Sequence, residues 1–313
     1  MSAVIPPRVV RGATIGIVAP AGPVKLEQLR VGLARLGDAF ALRLAPSLTQ
    51  ARPPEVPSYL SASDEVRAAE LMAMFADPDV RGIILARGGY GLMRILPLLD
   101  PAVLRRDPKP IVGFSDATAL LSWAHAAGVR GIHGPMAVQM GSLPESDIAQ
   151  TIAMLTEPRP LGVRPWQLAS DDRGIHRGAL MPANLTLVSV LVGTPWALPL
   201  RGSITLLEEV GEKPYELDRY LTHLTLAGEL AKPHAVIMGD FTRCADPDPP
   251  TGLPDHGDAA FATVRERLRA AGAVVATGAP IGHGSRNEPV PFGAACVLDL
   301  DQRVLEILDP AVA

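Results

Sequence analysis

Short unbroken apolar runs alternate along the first half of the chain with stretches whose apolar residues recur every three or four positions. Ala13–Ala19 reads ATIGIVA, a buried strand that stops at the loop Pro20-Ala21-Gly22-Pro23. Lys25–Leu36 sets Leu26, Leu29, Leu33 and Leu36 on one helix face and closes at Gly37. Ala39–Leu44 is a second strand. Asp64–Ala76 is a helix capped by Ser63 or Asp64, with Leu71, Met72 and Phe75 turned inward. Gly82–Ala86 and Ile111–Phe114 are continuously apolar, as strands are when both faces of a sheet are covered. A helix, Asp116–Ala127, starts directly after the second of them. This rhythm predicts a parallel sheet with helices on both sides.

The rhythm lapses from Pro158 to Arg177, so the expected organisation is an α/β domain over residues 1–160, a linker over 161–177 and a second domain over 178–313. The second domain reads as a helix at Asn184–Val192, a strand at Ser203–Glu209, a helix at Pro214–Leu226 and strands at Ala235–Met238 and Ala273–Ala276. Between those strands lie a loop, Pro247–His256, and a helix, Ala259–Ala271. Strands Ala294–Leu300 and Val304–Leu308 close a mixed α+β pattern with some antiparallel pairing. There is no internal repeat and no heptad run.

At 313 residues the length suits about two domains. The 29 Lys+Arg against 33 Asp+Glu leave a net charge of −4 with no basic block, which excludes an electrostatic footprint for nucleic acid or anionic lipid. Cys244 and Cys296 form neither a disulfide framework nor a metal cluster, which points to a reducing compartment. Met1–Gly12 lacks a charged start followed by an apolar segment. The longest apolar run, Leu185–Leu200, is broken by Gly193 and Pro195 and falls short of a bilayer span. The expectation is a soluble, cytoplasmic protein that needs no cofactor or metal, since no H-E-x-x-H, C-x-x-C or carboxylate-loop pattern occurs.

Open parallel sheets bind ligands at the carboxyl ends of their strands. Two such ends carry chemistry: Arg87-Gly88-Gly89-Tyr90-Gly91 and Gly113-Phe114-Ser115-Asp116. A serine at a sharp strand-to-helix turn exposes its hydroxyl, and the following N–H, that of Asp116, faces any oxyanion formed there. Ser115 or Asp116 serving only as a helix cap is the competing reading, and Ala117 breaks the hydrolase pattern G-x-S-x-G. Gly88-Gly89 reads as an oxyanion donor or as a plain tight turn, and it matches no phosphate-binding loop. For the base that a serine nucleophile needs, His133 in Ile132-His133-Gly134-Pro135 and His283 in Gly282-His283-Gly284 lead the seven histidines, while His125 points away from the turn. An orienting carboxylate would come from Glu208 or Glu209 at the end of an apolar strand, and strand parity does not choose between them.

Taken in order, Ile15–Gly22, Asp64-Glu65-Val66-Arg67-Ala68, Arg87–Gly91, Lys109–Leu120 and His133-Gly134-Pro135-Met136 resemble the LD-carboxypeptidase family. Asn184-Leu185-Thr186, Leu207–Tyr215, Asp218-Arg219 and Ile281–Gly284 extend the likeness over nearly the whole chain. The resemblance implies a flavodoxin-like N-terminal domain and a smaller, barrel-like α+β C-terminal domain. It implies a catalytic set of Ser115 as nucleophile, His283 as base and Glu208 as its orienting acid, with Glu209 as runner-up. Backbone amides of Gly88, Gly89 and Asp116 would form the oxyanion hole. The implied substrate is a small muropeptide that loses a terminal D-alanine, and the implied assembly is a homodimer. A peptidase conferring immunity to a peptidyl-nucleotide antibiotic is the alternative within the family, disfavoured by 4% aromatic residues and scattered Trp123, Trp166 and Trp196. Outside the family, the alternatives are an α/β-hydrolase and a non-catalytic ligand-binding module. Pro182-Ala183 replaces the Gly-Gly that many members carry before Asn-Leu.

Overall fold

The computed structural model describes residues 3–248 and 258–313, so His256 and most of the loop expected at Pro247–His256 lie outside the described residues. The described chain divides into two compact units.

The first unit contains β1 (Thr14–Val18), α1 (Leu26–Gly37), β2 (Ala41–Leu44), α2 (Asp64–Ala76), β3 (Val80–Leu85), α3 (Leu92–Ile95), α4 (Pro101–Arg106), β4 (Ile111–Gly113), α5 (Ala117–Ala126), β5 (Ile132–His133) and α6 (Glu145–Thr156). Its parallel strands run in the order β5-β4-β3-β1-β2. This is the flavodoxin-like order, in which the crossovers change direction between β1 and β3 and open a crevice at their carboxyl ends. The expected apolar strands fill the centre: Ile15, Ile17, Ile83, Ile84, Ile111 and Val112 are fully buried. α1 buries Leu29 and Leu36 of its expected face but not Leu26. Leu26 is 54% exposed, and the buried face instead includes Gly32, where an added Cβ would lie 1.7 Å from the Ala137 carbonyl oxygen. Backbone contact, which a search for apolar side chains does not see, seats this helix.

The second unit contains β6 (Gly162–Arg164), β7 (Ile175–Asn184), α7 (Leu185–Val190), β8 (Ile204–Val210), α8 (Pro214–Leu226), β9 (Ala235–Thr242), α9 (Asp258–Ala270) and β10 (Val275–Thr277). After β11 (Val290–Pro291), which belongs elsewhere, β12 (Ala295–Asp299) and β13 (Val304–Ile307) complete it. The strand order is β10-β9-β8-β7-β12-β13-β6, and an Ala169↔Thr277 bridge ties the β6–β7 connection to the opposite edge strand.

Two expectations about domain limits change. Residues 161–177 are not a linker: they hold β6 and the start of β7. β7 escapes a pattern search because its halves have different neighbours. Ile175–Ala179 pairs antiparallel with β12 and is half solvated, whereas Leu180–Asn184 pairs parallel with β8 and is buried. Nor does the second unit run unbroken to residue 313. Glu288–Gly293 and Pro310–Ala313 return to the first unit. There β11 adds antiparallel to β5, Arg130 donates to the Pro310 carbonyl at 2.8 Å, and the Arg8 N–H donates to the Ala313 carbonyl at 2.8 Å.

Candidate active site

In the first unit, β4 is only three residues long, and the chain leaves it through Phe114 into a turn at Ser115 with φ 62°. A branched or polar L-residue held there stores about 1–3 kcal/mol of strain, which persists only when the surroundings enforce it. Gly113 is one enforcer, because an added Cβ would lie 2.7 Å from the Ala117 Cβ and push α5 off the strand. Neither side chain caps α5. Asp116 occupies the cap position without a side-chain bond to the helix; its carboxylate turns away to accept the Leu92 N–H at 2.9 Å. That bond ties the start of α3, just beyond the glycine loop, to the Ser115 turn. Burial pushes the Asp116 carboxyl up to about 6, opposed by the Leu92 hydrogen bond and the Arg67 charge.

The glycine loop lies against the serine. A Cβ added to Gly88 would stand 3.2 Å from the Ser115 Cβ and 3.3 Å from its Oγ. Gly89 and Gly91 adopt φ 111° and 126°, conformations that only glycine takes without strain. The Gly22 N–H donates to the Gly88 carbonyl at 3.1 Å, so the ends of β1, β3 and β4 converge on Ser115. Arg67, whose side chain is fully buried, locks this arrangement. Its guanidinium donates to the Gly91 carbonyl at 3.0 Å and the Ala62 carbonyl at 3.2 Å, and also to the Pro20 carbonyl and the Asp64 carboxylate. The sequence carried one signal for it: a charged residue four positions before Leu71 on the inward face of α2.

In the second unit the two adjacent glutamates are both buried, at 0% and 3% exposure, because both faces of β8 are covered. The neighbouring strand is bulged here. β8 pairs Leu207 with Met238 and then Glu209 with Phe241, so Gly239 and Asp240 stand opposite Glu208 alone. Glu208 Oε2 accepts from His283 Nδ1 at 2.7 Å. A carboxylate only accepts, so Nδ1 carries a proton, and in the neutral ring that leaves the lone pair on Nε2, the tautomer a general base needs. Glu209 faces elsewhere. It accepts from Asn184 Nδ2 at 2.8 Å, from the Thr186 N–H and Oγ1 at 2.8 and 2.7 Å, and from the Val210 N–H at 2.8 Å. Burial and the neighbouring Glu208 push its carboxyl pKa up. The two glycines flanking His283 are packed tightly. An added Cβ would lie 3.1 Å from the Glu208 Cβ at Gly282 and 2.2 Å from Asp240 Oδ2 at Gly284.

His133, a leading base by sequence, is core: it is fully buried on β5 with its ring edge-on to Phe114. His125 packs on Phe292 at 5.5 Å between centroids, and His223 Nδ1 bonds Ser189 Oγ at 2.8 Å. Among the described residues no group of three or more His, Cys, Asp or Glu side chains is placed to hold a metal ion, and no helix is long and apolar enough to cross a membrane.

An open flavodoxin-order sheet with a strained serine at a strand end, joined in one chain to a mixed sheet carrying a glutamate-fixed imidazole, holds the groups that a hydrolase of the serine type uses. Comparison makes the class specific. Residues 15–134 match the LD-carboxypeptidase N-terminal domain and residues 177–298 the LD-carboxypeptidase C-terminal domain, so the chain belongs to the LD-carboxypeptidase family of serine peptidases. The murein tetrapeptide carboxypeptidase of Pseudomonas aeruginosa is 33% identical over 255 residues, 77% of this chain and 80% of the relative. The muramoyltetrapeptide carboxypeptidase from Oxalobacter formigenes is 28% identical, with a TM-score of 0.79 over 95% of this chain and 99% of its own. The microcin C7 self-immunity protein shares the fold at a TM-score of 0.85 over 99% of both chains, with 22% identity.

Proposed function

We propose that this enzyme hydrolyses the amide between an L-configured centre and a terminal D-alanine in murein tetrapeptides, in the recycling of cell-wall peptides. Ser115 Oγ attacks the carbonyl carbon, and His283 Nε2 takes its proton. Backbone amides at Gly88, Gly89 and Asp116 hold the oxyanion. The C–N bond then breaks as His283 returns the proton to the leaving amine. Water, deprotonated by His283, cleaves the acyl-enzyme and releases the shortened peptide as a carboxylate. Glu208 keeps the imidazole in its Nδ1–H tautomer and stabilises the imidazolium.

The observation that carries this reading is the backbone of Ser115: a capping serine has no need of φ 62°, whereas a nucleophile presented above a sheet does. The relatives named for murein or muramoyl tetrapeptides support the substrate. A cytoplasmic homodimer completes the proposal, tested by cell fractionation and sedimentation velocity. The decisive experiment incubates the enzyme with matched L,D- and D,D-peptides and identifies products by mass spectrometry. Release of D-alanine from the L,D-series alone, lost in Ser115→Ala, is expected. Cleavage of the D,D-series, or full activity in Ser115→Ala, refutes it.

A further inference from the structure

A carboxypeptidase must tell the end of a peptide from its interior. The last residue offers one group that an internal residue lacks, an ionised carboxylate one residue beyond the scissile carbonyl, about 3.8 Å further along the chain. The glycine loop of the first unit carries a cation one residue from its proposed oxyanion amides.

Arg87 directly precedes Gly88, the position whose added Cβ would stand 3.3 Å from Ser115 Oγ. The two positions point apart. Gly88 faces the serine turn beyond β4, whereas Arg87 reaches to the other neighbour of β3: its Nη1 donates to the Pro23 carbonyl, in the loop after β1, at 2.8 Å. The guanidinium therefore lies across the carboxyl ends of β3 and β1. That is the point where the crossovers change direction, and where an open sheet of this kind takes its ligands. The loop after β1 also borders the glycine turn itself, since a Cβ added to Gly22 would lie 3.7 Å from the Gly89 Cα.

The charge of Arg87 is unspent. The residue is exposed, and among the described residues no carboxylate pairs with it. The other arginines around the glycine loop are committed. Arg67 is fully buried and gives its donors to carbonyls and to Asp64, and Arg94 donates to the same carboxylate at 2.9 Å. A guanidinium carries five N–H donors in a planar fork, so one bond to Pro23 orients it and leaves donors for a carboxylate. A neutral donor would meet the Pro23 carbonyl equally well.

We propose that Arg87 is the specificity residue that receives the terminal carboxylate of the peptide and so confines cleavage to the last residue. The proposal rests on the peptidase reading above, which sets the scissile carbonyl on the Gly88 and Gly89 amides; the carboxylate one residue on then falls beside the stretch of loop that carries Arg87.

Two L,D-peptides test it, identical except that the terminal D-alanine ends in a free carboxylate or in a carboxamide. In wild type, kcat/KM for the acid is expected to exceed that for the amide by about tenfold or more, carried mainly by KM, as for a hydrogen-bonded charge pair. Arg87→Gln keeps a donor for the Pro23 carbonyl and removes the charge, and it is expected to lower that ratio about tenfold. Arg87→Lys keeps the charge without the fork and is expected to fall between the two. Equal rates on acid and amide in wild type overturn the proposal. So does an unchanged ratio in Arg87→Gln, parallel loss on both peptides included, which is what a mere tie between loops would give. Should Arg87→Gln fail to fold, as judged by circular dichroism, Arg87→Lys decides: a lowered ratio supports the proposal and an unchanged one overturns it. The two claims fail separately. If wild type releases D-alanine from neither peptide, the peptidase reading falls and the proposal with it; if it releases D-alanine at a ratio indifferent to Arg87, only the role of Arg87 is wrong.

Discussion

The two units hold the groups proposed for catalysis by opposite means. Around Ser115 the first unit works with backbone: a positive φ, glycines at positions 88, 89, 91 and 113, and a buried Arg67 that holds carbonyl groups in place. Around His283 the second works with side-chain charge, a buried carboxylate on an imidazole, admitted by a bulge between β8 and β9. The first arrangement is sensitive to atoms added and the second to charges removed.

The largest effects are expected at the groups proposed to react. Ser115→Ala and His283→Ala should each reduce kcat by about 10⁴–10⁶ with little loss of stability, read by single-turnover kinetics beside thermal melting. Retention of activity by either variant would remove that residue from the mechanism. Next comes an added methyl on the backbone side. Gly88→Ala crowds the Ser115 hydroxyl at 3.3 Å and should lower kcat about 10²-fold, since small displacements of a nucleophile are costly. If the same variant unfolds the protein instead, the loop is structural and the contrast fails.

Glu209→Gln separates the two neighbouring acids. Glu209 accepts four hydrogen bonds that join β7, α7 and β8, and an amide cannot accept them all. A loss of about 1–3 kcal/mol in urea denaturation is expected, larger than its effect on kcat. A kcat loss as great as that of Glu208→Gln would show that the sequence-level ambiguity between the two acids was real.

Asp116 predicts a pH dependence. Its folded pKa, about 6, lies above the usual carboxylate value, so the native state binds the extra proton between about pH 4 and 6. Stability from this group is therefore greatest below pH 4, falls as pH rises to 6, and is level above. Two pH units correspond to on the order of 3 kcal/mol. The difference between wild type and Asp116→Asn, followed by denaturation from pH 4 to 8, should trace that fall, and a flat difference would contradict it. The smallest effect is on strain: Ser115→Gly should be inactive and about 1 kcal/mol more stable, because glycine occupies φ 62° freely.

Much of this molecule is legible without coordinates. The apolar runs at β1, β3 and β4 and the amphipathic α2 declare a covered parallel sheet, and Gly88-Gly89 and Ser115 announce themselves by standing at strand ends, where ligands bind. His283 is marked by its glycines. What stayed hidden depends on partners distant in sequence. Both glutamates read as equal because both faces of Ser203–Leu207 are apolar, so strand parity cannot say which face meets His283. His133 looked available because a histidine at an expected strand end gives no sign of the Phe114 ring covering it. Arg67 and Asp240 act on backbone groups of loops distant in sequence, a role no local motif encodes.

The order of apolar and polar residues, read alone, settles the class of sheet, the helices that cover it and the short list of reactive side chains, because local periodicity and turn chemistry act over a few positions. Only the folded chain decides which glutamate holds His283, why Ser115 is strained and not a cap, and where β7 and the C-terminal segments pair. Those outcomes are contacts between residues tens to more than a hundred positions apart, and their energies exist only once the strands have met.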